Sequence, residues 1–363
     1  MAEQTISTNL QTIQFRKDFF REWVRQNRFG PYSGRGANNV ICQKFGSDPT
    51  LRHPLVTRLQ SAGVTGNAML RGTGESIGNY SWDTTPTYYR HAVEFNKEDY
   101  EKTNLNLMKE ARPLLMEWMM NETRNRQIEA MGALYDSSNY SNLSSGAAFE
   151  TIADAWLVAN DGRVVFGAET PTGATDHSAE LAKLDTSADD FTYTLADTMR
   201  RLAEDADPHI KPFMTDQEGE TYVVFCGSGT FEDLKSSLVT INTSADVRGM
   251  KLTANGNILA RDGDMYWNGM IFRKVPEITK LFSVSGKALY NTGDSGTTNV
   301  EPVFLCGQQA LVHGIGQAPD IIVDRDYDFK FRPAVAVECK EDIKKAFFNG
   351  YQHGMVTGYF AVA

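Results

Sequence analysis

Five glycines, Gly63, Gly66, Gly72, Gly74 and Gly78, fall within sixteen residues, between two runs that read as extended chain. Such a stretch cannot pack as a helix or a central strand, because glycine loses most backbone entropy on ordering and brings no side chain to bury. It reads as the loose tip of a long hairpin. PLVTRLQ stands before it. After it comes NYSWDTTPTYYRHAVEF, in which Tyr80 and Trp82 alternate with polar residues and Tyr89, His91, Val93 and Phe95 share one face of a second run. These aromatic faces have no partner in the adjacent sequence, so the core behind them or a neighbouring subunit must cover them.

The remainder supplies a body for that projection. With 363 residues, 41% of them hydrophobic, the chain can bury a real core, and long disorder is excluded. No run approaches the roughly eighteen apolar residues that a membrane span requires, and MAEQTISTNL lacks a basic segment followed by an apolar one. Neither a membrane protein nor a secreted one is expected. Cys42, Cys226, Cys306 and Cys339 form no C-x-x-C pair and sit in apolar runs such as VVFCG and VFLCG, which predicts reduced core thiols. Charge is uneven. Residues 1–60 hold nine basic and four acidic side chains, whereas the rest holds 27 basic and 42 acidic ones. A basic head on an acidic body fits nucleic acid, but it fits equally a head that docks on the acidic body of another copy.

Along the chain, Phe15, Phe19, Trp23 and Val24 recur at helical spacing within residues 11–29, predicting an amphipathic helix. VICQKF reads as a strand. From Thr103 to about Leu134 the pattern is helical, with Leu105, Met108, Ala111, Leu115 and Trp118 in step. Pro113 predicts a kink or a fresh start there, and the all-polar NETRNRQ at 121–127 predicts an exposed stretch. Residues 136–146 read as a loop, followed by weakly patterned sequence to about 186. Phe191, Leu195, Met199 and Leu202 mark a helix with Ser187 as its candidate cap. TYVVFC, GDMYWNGMIFRKV, VEPVFLCGQQALV and RPAVAVEC read as β-structure and FEDLKSS as helix. The irregular alternation, without repeats, indicates a mixed α+β chain.

Catalytic fragments fail on their next residue. Gly293–Gly296 (GDSG) has the form of a serine nucleophile segment, but no His stands in a matching context and turn chemistry explains it. Gly227-Ser-Gly229 lies between a strand and a helix as a dinucleotide loop would, yet Glu232 occupies the third glycine position and opposes a phosphate. Asp324, Asp326 and Asp328 alternate as in a calcium loop, but Phe329 and Val335 replace the required glycine and glutamate. The six histidines show no metal-binding spacing. No catalytic residue, cofactor or metal is expected.

The order of elements resembles the major capsid protein of tailed bacteriophages (Caudoviricetes), the Johnson fold, and the wording is closer still to one branch, the family typified by coliphage N-four. PLVTRLQSAGVTGNAMLRGTGE with YYRHAVEF resembles that family's hairpin, LMKEARPLLMEWMMNETRNRQIEAMGAL its spine helix, and TYVVFCGSGTFEDLK its axial-domain strand and helix. MYWNGMIFRKVPEI, VFLCGQQALVHGIGQ and DYDFKFRPAVAVECKEDIKKAFFNGYQHGMV resemble the segments that follow.

The resemblance implies an α+β Johnson fold with an N-terminal arm (1–50), an extended E-loop hairpin (51–100), a P-domain with spine helix and following loop (101–186), an A-domain (187–318) and a C-terminal return to the P-domain (319–363). It implies hexamers and pentamers closing into an icosahedral shell around double-stranded DNA, in a virion assembled in the host bacterial cytoplasm. A scaffolding protein and portal are implied partners, with a decoration protein open; DNA is contacted weakly and without sequence specificity. The alternative is an encapsulin-type nanocompartment of the same fold. Inter-subunit contact candidates are Arg16, Arg21, Trp23 and Arg25 in the arm, and Arg58, Arg71, Glu75, Tyr80, Trp82 and Arg90 in the hairpin.

Overall fold

The computed structural model describes residues 25–36, 38–46, 50–98, 107–135, 140–141, 147–168, 170, 173–186, 188–216, 219–247, 264–282, 292–326 and 330–362. In chain order, β1 (Ser33–Gly34) and β2 (Cys42–Gly46) precede the hairpin strands β3 (Leu51–Val56) and β4 (Asn79–Thr84), and β5 (Thr87–Glu94) follows. Helix α1 (Leu107–Gly132) leads to β6 (Leu134–Tyr135), β7 (Tyr140–Ser141), α2 (Ala147–Ala159), β8 (Val164–Phe166), α3 (His177–Leu181) and α4 (Tyr193–Asp205). Next come β9 (Met214–Asp216), β10 (Gly219–Cys226), α5 (Ser228–Val247), β11 (Asp264–Trp267), β12 (Met270–Lys274) and α6 (Pro276–Phe282). The chain closes with β13 (Asn299–Cys306), β14 (Leu311–Asp324), β15 (Ala334–Lys345), β16 (Phe347–Phe348), β17 (Tyr351–Gln352) and β18 (Met355–Val362).

These elements form two compact units, and α1, β14 and β15 each run through both. The larger unit comprises residues 27–88, 122–318 and 340–363. Its main sheet has the strand order β11-β12-β10-β13-β18-β8, with β9 added on β10. TYVVFC and VEPVFLC are apolar without alternation because they are covered on both faces. On one face Val223, Phe225, Val300 and Phe304 pack with Phe29, Trp156, Ile278 and Phe282. On the other, Val224, Val303, Leu305 and Phe360 pack with Leu195 and Met199 of α4 and Phe231 and Leu234 of α5. The smaller unit comprises residues 1–26, 89–121 and 319–339. There Ala111, Leu115 and Met119 of α1 lie on Val335, Val337 and Cys339, at the spacing that sets one helix face on one strand face.

Several expectations change. Residues 25–29 are not helical and lead into a 3-10 turn, Gly30–Tyr32; the other residues of the predicted N-terminal helix, through Val24, lie outside the described ones. Phe29 is already core, its ring 4.7 Å from that of Phe225. Pro113 neither ends nor restarts α1, which is one helix across it. The lost hydrogen bond of that proline is offset by the burial of Ala111, Leu115 and Met119 around it. The N-cap position of helix α4 is Thr192, whose side chain makes no capping hydrogen bond, and Ser187 lies outside the described residues. The weakly patterned stretch before it contains α2, whose Phe149, Ala153, Trp156 and Leu157 are core.

The polar stretch of α1 is the largest reversal. Arg124 and Gln127 are 6% and 2% exposed. Arg124 pairs with Glu277 of α6 at 3.3 Å, Arg126 with Glu341 at 2.7 Å, and Gln127 accepts from Asn27 at 2.9 Å. The segment is polar all round because it crosses a buried layer of charges, not because it faces water.

Candidate inter-subunit contact surface

Strands β3 and β4 pair antiparallel from Leu51↔Thr84 to Val56↔Asn79. The root of this hairpin is fixed from one side. Trp82, 7% exposed, stacks on Phe347 at 5.1 Å, lies 4.8 Å from the His53 ring and packs with Val312 and Ala346. His53 Nε2 lies 3.0 Å from Thr84 Oγ1, and burial lowers the imidazole's pKa. On the outer rim Arg52 donates to both carboxylate oxygens of Asp83 at 2.8 and 2.9 Å.

Beyond Val56 the ladder ends and residues 57–78 run as an open loop. Thr57 donates its N–H to Gly78 O at 2.9 Å. A Cβ at Gly78 would lie 2.6 Å from Thr57 Oγ1, so any larger residue at this neck would make the Thr57 side chain turn aside. Further out, the Glu75 carboxylate accepts from the backbone nitrogens of Gln60 and Ser61, at 2.9 and 2.8 Å. Those two bonds hold its pKa below the usual carboxylate range. Gly63, Gly66 and Gly72 have φ of +71°, +67° and +91°, the left-handed turns that the glycines permit. This loop exposes large apolar side chains: Met69 at 75%, Leu70 at 70% and Ile77 at 69%.

The candidate contact residues divide accordingly. Arg16, Arg21 and Trp23 lie outside the described residues, and Arg25 is half-buried. Arg71, Tyr80 and Arg90 are exposed. Arg58 is exposed too, but pairs within its own chain with Asp207 at 2.6 Å. Glu75 braces the loop internally. Trp82 is a correction: it serves its own subunit's core, because Phe347 and Phe348 of β16 pack on its ring. Sequence alternation gives Tyr80 and Trp82 the same face, and the distant strand that covers only one of them is not visible in the local pattern.

Elsewhere the side chains assemble for structure. Gly227-Ser-Gly229 does start a helix, α5, but Glu301 from β13 fills the position where an anion would sit. Its carboxylate accepts from Thr230 N at 2.9 Å and from Thr279 Oγ1, and a Cβ at Gly227 would collide with it. Burial raises the pKa of Glu301 despite those hydrogen bonds. GDSG forms a 3-10 turn, Asp294–Gly296, closed by a bridge between Gly293 and Thr298. Asp326 N donates to Asp324 Oδ1, and Asp328 lies outside the described residues. Among the described residues no group of His, Cys, Asp or Glu is arranged to hold a metal ion, and no helix is long and apolar enough to cross a membrane. All four cysteines are free and buried, and burial raises the Cys42 thiol to about 11.

Three buried polar groups escaped the sequence reading. Glu341 takes His313 Nε2 at 2.8 Å, Thr123 Oγ1 at 3.0 Å and Arg126. Burial pushes its pKa up, but the His313 bond and the charges of His313 and Arg126 outweigh this and lower it. Lys345, wholly buried, has Nζ 3.3 Å from Gln352 Oε1 and over the Tyr135 and Trp156 rings; desolvation lowers it to about 7. His177 sits among Phe149, Trp156, Phe166 and Tyr359, with ring centroids 5.5–6.5 Å away. A lone His or Lys in the sequence gives no sign of which it will be.

The family model described as phage capsid protein matches residues 4–359, and the chain belongs to that family. The fold resembles the cyanophage Pam1 capsid subunit, with a TM-score of 0.88, 30% identity and 100% of both chains covered. It also resembles the capsid of Ralstonia phage GP4 (TM-score 0.70, 16% identity, 100% of this chain and 99% of that one). The head of Helicobacter pylori bacteriophage KHP40 is similar as well (TM-score 0.64, 13% identity, 98% and 96% covered). No curated protein matches the sequence. The chain therefore has the Johnson fold and is a phage major capsid protein, a subunit of the virion shell.

Proposed function

We propose that copies of this chain associate as hexamers and pentamers into a closed icosahedral shell around double-stranded DNA, with the hairpin tip and the basic arm reaching neighbouring subunits. The observation that carries the role of the tip is the exposure of Met69, Leu70 and Ile77 on a loop that is braced at its neck yet open at its end. Apolar side chains held out in water are covered on association. Arg71, Tyr80 and Arg90 are the contact residues best placed for this, since they are exposed. Arg58 and Glu75 shape the hairpin from within. Ion pairs at such contacts set register more than they hold the shell, each contributing about 0–1 kcal/mol when exposed.

The acidic balance outside the first sixty residues fits a container that releases its DNA, because a strongly basic wall would bind it. The subunit acts by shape and mutual contact, without an enzymatic step. A separate scaffolding protein and a portal complete assembly in the bacterial cytoplasm, and a decoration protein is compatible with the same surface. The phage capsids among its structural relatives favour this over an encapsulin-type compartment.

The test replaces residues 66–76 by a short turn and follows the purified protein by sedimentation velocity, negative-stain microscopy and thermal melting, with scaffold co-expressed. Loss of closed shells with a nearly unchanged subunit Tm is expected. Normal shells, or a large fall in Tm, would overturn the assignment. An arm deletion made for the same purpose should stop before Asn27, because Phe29 and Tyr32 belong to the core.

A further inference from the structure

Two Asn-Gly pairs occupy the same kind of turn in this fold and differ in one respect. Asn268-Gly269 joins β11 to β12 and Asn349-Gly350 joins β16 to β17, each as a two-residue hairpin loop. Both asparagines and both glycines have positive φ, at +42° and +70° in the first turn and +52° and +82° in the second, as a type I′ turn requires. Both asparagines are exposed. The Asn268 side chain is held: its Nδ2 donates to Asp197 Oδ1 at 3.0 Å, and its Oδ1 accepts from Arg200 at 2.9 Å. Both glycine carbonyls accept a hydrogen bond, Gly269 O from Tyr222 N at 2.9 Å and Gly350 O from Asn160 Nδ2 at 3.0 Å, so it is the asparagine side chain that sets the two turns apart. Neither the Asn349 carboxamide nor the Gly350 N–H has a hydrogen-bond partner among the described residues.

We infer that Asn349 is a site of spontaneous deamidation and that Asn268 is protected from it. In this reaction the Gly350 backbone nitrogen attacks Asn349 Cγ and forms a new C–N bond. The Cγ–Nδ2 bond breaks, and Nδ2 leaves as ammonia, taking up the proton lost from the glycine nitrogen. Water then opens the resulting cyclic imide at either carbonyl, giving aspartate or isoaspartate. No oxidant, enzyme or cofactor enters. Asparagine is among the chemically labile residues, and a following glycine offers no side chain to hinder the attack. At Asn268 the two side-chain hydrogen bonds to charged partners must break before Cγ can turn toward the nitrogen.

The position gives the reaction a consequence. Asn349 borders two grooves at the hairpin root, one of about 490 Å³ with Arg58, Asp207 and Tyr351, the other of about 600 Å³ with Tyr80, Trp82 and Phe347. Each conversion places a new negative charge there. The isoaspartate form also lengthens the backbone within a turn that has room for only two residues.

The test is a time course of the full-length protein in mildly alkaline buffer, as free subunit and as shells, read by peptide mapping with isoaspartate detection. Asn349 should convert roughly tenfold or more faster than Asn268, the factor set by breaking one hydrogen bond to a charged partner. The variant Asp197→Ala should accelerate conversion at Asn268 and leave Asn349 unchanged. Equal rates at the two sites, no conversion at either, or no response of Asn268 to Asp197→Ala would each overturn the inference.

Discussion

His177 offers a quantitative test of how this subunit tolerates a polar group in its core. The residue is 1% exposed, enclosed by four aromatic rings, and neither ring nitrogen has a partner among the described residues. Burial lowers its pKa from 6.5 to about 4, against a small opposing pull from Asp176. Between those values the unfolded chain binds a proton that the folded one refuses, so stability falls as pH falls through this window. The neutral ring's full contribution is present above about pH 6.5 and is lost by about pH 4, a difference of about 3 kcal/mol. His177→Phe removes both the titration and the unsatisfied nitrogens, the latter a penalty of about 1–3 kcal/mol. The larger ring returns part of that gain as crowding, also about 1–3 kcal/mol. Near pH 7 the variant should therefore differ little from the parent, whereas near pH 4.5 it should be more stable by roughly 2–3 kcal/mol. Urea unfolding of the unassembled subunit at a series of pH values, followed by tryptophan fluorescence, measures the difference. Glu150 and Asp154, on the helix packed against the cage, are common to both proteins and cancel. A difference that stays constant from pH 7 to 4.5 would refute the reasoning.

Other expectations follow from the buried polar groups and the hairpin root. Glu341→Ala strips Arg126 and His313 of a buried carboxylate and should cost about 3–5 kcal/mol in urea unfolding near neutral pH. Because the carboxyl's pKa is lowered, the parent's advantage is present above the ordinary carboxylate range and shrinks as pH falls below it. Lys345→Met keeps the shape of a side chain whose ammonium the fold disfavours, and should raise Tm at neutral pH; a lower Tm would show that the lysine is held as a cation. Trp82→Ala should cost about 3–5 kcal/mol and expose the root of the hairpin to limited proteolysis, with cleavage moving from residues 57–78 toward 79–84.

Much of the fold is visible in local pattern because the core alternates or runs apolar where the strands lie. The five-glycine tip, the strands around Val223 and Phe304 and the long helix from Leu107 are of this kind. What escaped depends on partners far away in sequence. Arg124, Arg126 and Gln127 read as solvent-facing until Glu277, Glu341 and Asn27 are placed beside them. Trp82 reads as a contact residue until Phe347 and Phe348 of β16 cover it. Helix α2 is apolar on several sides, so it carries little periodicity. The contact candidates fared according to their reach: exposed Arg71 and Arg90 remain available, while Arg58 and Glu75 find partners at home.

The carboxylate of Glu301 at the start of α5 has one more effect. β13 lies between β10 and β18, and its side chains alternate between the two apolar layers. Glu301 belongs to the layer that faces α5, where Thr230 and Thr279 receive it. A slip of one residue in either ladder would turn that charge toward the opposite layer, among Phe225 and Phe282, with no donors waiting. One acidic residue in an otherwise apolar strand thus proofreads the pairing of three strands, and a chain that must fold identically many times over for one shell carries its own check on alignment.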